Sequence, residues 1–135
     1  MPQPKQIKAV KGRFVVNEQF QIAVRGKGSA KLFKAASRAL NRLRGRTGFF
    51  MRQAFVTKKV NPDSAAMVIS IQRPGNMALG EDESYELNVS PQKILLNAPT
   101  DLGALHGLET FLQLLSADEQ GYFLPAVQIE DAPRF

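Results

Sequence analysis

Two adjacent acidic pairs, a single histidine and a run of cations are the groups in this chain with chemical potential. Asp118-Glu119 and Glu130-Asp131 each set two carboxylates side by side, the raw material of general acid–base catalysis. The surroundings of Asp118-Glu119 argue against that use. The pair follows Ser116-Ala117 in a polar stretch, Ser116–Tyr122, that reads as a loop, so a solvated turn is the expectation. Glu130-Asp131 falls on a terminal strand, where neighbouring side chains point to opposite faces and cannot easily share one substrate. His106 is the only histidine and the chain has no cysteine. Without a partner at ligand spacing a metal site is not expected, and His106 is read as having a structural or boundary role. Gly26-Lys27-Gly28 is too short to form a phosphate-binding loop. No catalytic, cofactor-binding or metal-binding residue is assigned, and no cofactor is expected.

The cations form a more coherent pattern. Lys31, Lys34, Arg38 and Arg42 fall at spacings of 3, 4 and 4, which places them on one face of a helix. Arg44 and Arg46 extend the run, and Phe49 and Phe50 follow closely; aromatics beside cations can stack nucleic-acid bases. Residues 1–60 hold 15 Lys/Arg and one acid, a net +14, whereas residues 61–135 hold 3 Lys/Arg and 11 Asp/Glu, a net −8. The simpler reading is a solvated helix face, with the two halves neutralising each other across one surface. The alternative is a nucleic-acid or polyanion contact through Lys31, Lys34, Arg38 and Arg42, which would bind in a strongly salt-sensitive way. A sugar-binding platform ranks below both. Such platforms need exposed aromatics, and this chain has no Trp and two Tyr, placed at a strand start (Tyr85) and in a loop (Tyr122).

These residues need elements to position them. At 135 residues the chain is one domain by size, and a domain of this length buries roughly two-thirds of its unfolded surface. No apolar run approaches the ~18 residues that span a bilayer, and Met1–Lys5 lacks the apolar segment of a signal peptide. Val10–Val16 and Phe20–Val24 read as two strands or a strand pair. Ser29 is placed to cap a helix running to about Arg44, with Leu32, Ala36, Leu40 and Leu43 as its apolar stripe and Gly45 as its stop. Phe49–Thr57 has strand composition, and Asn61-Pro62-Asp63 is a turn. Met67–Gln72 is apolar on both faces, which predicts a central strand.

Arg73–Ser84 reads as a loop. Tyr85–Val89 alternates strictly, Ser90–Lys93 turns the chain, and Ile94–Ala98 returns beside it, the clearest hairpin present. Thr100 or Asp101 caps a second helix ending near Leu115, with a seam of Leu102, Leu105, Leu108, Leu112 and Leu115. Gly103 and Gly107 inside it each cost about 1 kcal/mol relative to Ala. Their shared face predicts close packing against a strand or the other helix. Phe123–Glu130 is a last strand, with Pro125 placing it at an edge or delaying its start. The order β-β-α-β-β-β-β-α-β predicts an α+β two-layer sandwich: a mixed or antiparallel sheet with both helices on one face.

Several segments carry a family pattern. Tyr85-Glu-Leu-Asn-Val, then Lys93-Ile-Leu-Leu-Asn-Ala, then Gly103-Ala-Leu-His-Gly-Leu-Glu-Thr-Phe-Leu-Gln-Leu, resembles Y-x-L-x-V, x-I-x-I-x-A and G-x-x-x-G-x-x-T-L-x-Q-L. Leu124–Phe135 resembles the segment that follows, and Pro2-Gln3-Pro4 with Gly12-Arg13-Phe14 is similar to the start. The family is glycoside hydrolase family 20, the β-N-acetylhexosaminidases. The likeness is specific in the C-terminal half and only topological between Arg25 and Pro62.

The resemblance implies a non-catalytic N-terminal domain, residues 1–131, with 132–135 beginning the linker to a (β/α)8 barrel that does the chemistry. It implies a parent glycosidase that removes terminal N-acetylhexosamine by substrate-assisted retaining hydrolysis, in which the sugar's own acetamido oxygen attacks the anomeric carbon. The partner it implies is the barrel of the same polypeptide. Glycan would be met only through that barrel, in a periplasmic or secreted setting, and this chain alone is expected to be inert. An apolar patch near the C-terminal strand is expected where the barrel would dock, with weak self-association as its consequence.

Overall fold

The computed structural model describes residues 6–26, 30–48, 53, 56–57, 59–71, 84–119 and 121–131. Its elements in chain order are β1 (Gln6–Val15), β2 (Ile22–Gly26), α1 (Ala30–Thr47), β3 (Met67–Ile71), β4 (Tyr85–Val89), β5 (Ile94–Ala98), α2 (Asp101–Leu114), β6 (Ser116–Asp118) and β7 (Gly121–Asp131). The strands form one sheet in the order β1-β7-β4-β5-β3-β2, with β6 paired to β7 beside that path. β2, β3 and β5 run parallel, and the remaining pairs are antiparallel. The sheet is therefore mixed. α1 and α2 pack against each other; α2 lies over β3, β4 and β5, and α1 lies against β2.

Alternation along the strands divides the sheet into two faces. Ile22 and Val24, Met67, Ile69 and Ile71, Ile94 and Leu96, and Leu87 and Val89 enter the main core with Leu32, Ala36, Leu40 and Leu43 of α1. Each fully buried Leu or Ile in this layer contributes about 1.5–3 kcal/mol of transfer free energy. Phe20 stacks on Phe111 of α2 and meets Phe14 edge-on, both at 6.0 Å between ring centroids. On the opposite face Ala23 and Val68 form a small cluster with Ala65. That cluster explains why β3 is apolar on both sides, as an interior strand should be.

The β4–β5 hairpin, the apolar stripe of α1 and the turn at Asn61 form as the sequence predicts. The Asn61 side chain accepts from the Asp63 N–H at 2.9 Å, an Asx turn. Other elements differ. β1 and β2 are two strands but not a pair: they occupy opposite ends of the sheet order. The chain between them turns into the core, burying Val16 and Phe20. Gln53, Val56 and Thr57 lie in no strand, and the rest of the predicted strand 49–57 lies outside the described residues, as do Ser29 and residues 72–83.

Ser116–Tyr122 is not a loop but the β6–β7 hairpin, closed at Gly121 with φ 125°, a value suited to Gly. β7 lies between β1 and β4, not at an edge. Pro125 is tolerated there because it sits beside the irregularity in β1 between Ala9 and Arg13, and between the β7 residues paired to β6 and those paired to β4. Proline in a sheet is confined to such breaks. α1 runs past Gly45 to Thr47, where the Gly48 N–H bonds the Arg44 carbonyl at 2.8 Å with φ 73°, a left-handed helix stop.

Candidate functional site

α2 sits low on the sheet because of its two glycines. A Cβ on Gly103 would overlap the Ser84 carbonyl oxygen, and one on Gly107 would overlap the Leu96 side chain. The buried face of α2 is thus Gly103, Ala104, Gly107, Leu108, Phe111 and Leu112, while Leu102 and Leu105 of the expected seam are only half-buried. Hydrophobicity alone places the seam on the leucines; backbone proximity rotates it toward the residues without side chains.

That descent brings Thr110 to Tyr85 at the start of β4. The Tyr85 hydroxyl lies 2.6 Å from Thr110 Oγ1 and 3.5 Å from the Asp131 carboxylate. Thr110 also donates to the His106 carbonyl at 3.3 Å. Burial raises the Tyr85 pKa above the ordinary tyrosine value; the Thr110 hydrogen bond opposes the rise and the Asp131 charge adds to it. Tyr85, Glu86, Asn97, Glu130 and Asp131 line an open cleft of about 580 Å³ at this end of the sheet. Glu86 and Glu130 are cross-strand partners there, a like-charge placement that costs stability.

The other candidate groups are dispersed. Asp118 is a strand residue whose carboxylate meets Arg13 at 2.5 Å. The Arg13 guanidinium carbon also lies 4.2 Å from the centroid of the Phe123 ring, within cation–π range. Lys31, Lys34, Arg38 and Arg42 are exposed on α1, and Arg42 approaches Glu109 of α2 at 3.7 Å. Arg46 donates to the Leu112 carbonyl at 2.7 Å, closing the end of α2. His106 borders the groove between the helices with Arg38, Arg42 and Glu109. Among the described residues no three metal-ligating side chains gather, and no helix is long and apolar enough to cross a membrane.

One buried group escaped sequence reasoning. Gln53 bonds both backbone groups of Ile22, and its own carbonyl accepts from Arg44. A lone polar residue in an irregular stretch gives no periodic signal, so nothing in the pattern marks it.

Comparison with known proteins is consistent across the chain. The family model described as "Glycosyl hydrolase family 20, domain 2" matches residues 1–132. Flavobacterium johnsoniae chitobiase superposes with a TM-score of 0.95 at 43% identity, covering 100% of this chain and 21% of that one. The exo-β-N-acetylglucosaminidase of Vibrio harveyi matches at a TM-score of 0.69 and 26% identity, covering 99% of this chain and 19% of that one. The mouse (Mus musculus) β-hexosaminidase subunit alpha is 31% identical over 147 residues, which cover 99% of this chain and 27% of that protein. The chain thus spans about a quarter or less of these relatives.

Proposed function

Because the chain belongs to glycosyl hydrolase family 20, as its domain 2, we propose that it is the non-catalytic scaffold domain of a β-N-acetylhexosaminidase. One observation carries the reading: the match takes in nearly the whole chain yet only 21% of a related chitobiase. The hydrolytic chemistry is assigned to the rest of such a protein. In this reading residues 1–131 are the domain and 132–135 begin the linker to the barrel, the partner within the same polypeptide. Exposed Ile7, Val10 and Val15 on β1 supply apolar surface beside β7 for such a partner. Glycan contact, and a periplasmic or secreted setting, follow from the family reading alone. No observation favours the polyanion reading of Lys31, Lys34, Arg38 and Arg42.

The test has two arms. The pure chain, given a chromogenic N-acetylglucosaminide, should show no turnover; clear turnover would overturn the non-catalytic assignment. A longer protein carrying this domain and its barrel should lose thermal stability when the domain is deleted. A barrel that keeps its melting temperature without the domain would overturn the scaffold assignment.

A further inference from the structure

On β2, Gln53 Oε1 accepts from the Ile22 N–H at 2.8 Å, and Gln53 Nε2 donates to the Ile22 carbonyl at 3.0 Å. One side chain thereby makes the two bonds that a neighbouring strand would make. The arrangement is built in: Ile22 is fully buried, Gln53 is 9% exposed, and the Gln53 carbonyl is held by the Arg44 guanidinium of α1. An edge strand offers its unpaired N–H and C=O groups to other chains unless something blunts it. Within β2 itself the usual sequence guards are few. It has no proline, and its first three residues are Ile22-Ala23-Val24, with one charge at Arg25.

We propose that Gln53 is a side-chain plug that closes the β2 edge against strand addition by a second copy of this chain. The occupant it excludes is the same strand. A short Ile-Ala-Val edge is self-complementary in an antiparallel two-fold pair, and pairing would extend the sheet across two molecules. Ile22 turns its backbone groups outward, and alternation along the strand makes Val24 the next residue to do so. A second copy would bond at those two positions, and Gln53 holds the first.

The test is Gln53→Met, which keeps the side chain's length and removes both hydrogen bonds. The wild-type chain should form no dimer through β2, so that Val24→Pro leaves its sedimentation unchanged. The Met variant should form dimers as concentration rises, and when dilute its Ile22 amide should exchange roughly tenfold faster, the effect of losing one sheltering hydrogen bond. Adding Val24→Pro, which removes an outward donor, should restore the monomer. If the Met variant fails to fold by circular dichroism, Gln53→Leu replaces it, since it stays apolar and bonds neither backbone group of Ile22. A folded variant that stays monomeric at every concentration would overturn the proposal. So would a dimer that Val24→Pro leaves intact, or a wild-type dimer built on β2.

Discussion

At the scale of single residues, Tyr85 shows how a buried polar group links stability to pH. Burial raises its pKa in the folded chain. As pH climbs past the ordinary tyrosine value of about 10, the unfolded chain releases this proton before the folded chain does. The contribution is therefore complete below that pH and is lost as pH rises through the folded value. Alkaline denaturation followed by circular dichroism should show wild type losing stability in this window, while Tyr85→Phe loses less. At neutral pH the same variant should be less stable by about 1 kcal/mol, the usual worth of one hydrogen bond, because Thr110 loses its 2.6 Å partner. Equal alkaline profiles for the two proteins would remove Tyr85 from this role. The residue's place at a strand start was legible from strict alternation after it. Its partner Thr110 was not, because nothing in local sequence says which helix turn will lie above a strand.

At the scale of elements, the two helices use glycine in opposite ways. Gly103 in α2 has no room for a Cβ because the Ser84 carbonyl occupies that space, whereas Gly45 in α1 has nothing within 4 Å. Replacing a helical Gly by Ala is otherwise favourable by about 1 kcal/mol. Gly45→Ala should therefore raise stability by about 0.5–1 kcal/mol. Gly103→Ala should lower it by about 1–3 kcal/mol, the cost of overpacking against backbone that cannot step aside. Chemical denaturation of the two single variants checks both signs at once. Matched shifts in the same direction would mean that α2 does not depend on close approach. The apolar stripe of α1 was readable because helix and core share one period. On α2 the expected seam holds at Leu108, Leu112 and Leu115, while Leu102 and Leu105 are only half-buried, because the face of closest approach is centred on Gly103 and Gly107, whose shared face was legible in their spacing. β6 was missed because its three residues are all exposed, so no burial pattern could announce a strand.

At the scale of the whole molecule, fold class was legible and strand order was not. Two helices among short strands predict an α+β sandwich, and one forms. Adjacent strands in sequence usually neighbour each other in space, yet β1 and β2 end at opposite sides of the sheet. The determinant is long-range: β1 pairs with β7, as in Gln6 with Glu130 and Phe14 with Leu124. Removing residues 121–135 should therefore unfold more than a terminal strand. Hydrogen exchange of such a truncation should show β1 amides losing protection together with those of β4, whose other neighbour is also β7. Protection retained in β1 would mean that it is held by something other than this pairing.

The pairing of β1 with β7 also sets an order of events during synthesis. Among the described strands of this domain, the one made first, β1, pairs with the one made last, β7. More than a hundred residues of translation separate the two, and throughout that interval Ile7, Val10 and Val15 have no sheet to join. Such distant closures are slow as well as late. The domain therefore carries an unpaired strand through most of its own synthesis, and that strand is one in which Lys8, Lys11 and Arg13 interrupt the apolar residues, the kind of charge that discourages strand pairing with other chains.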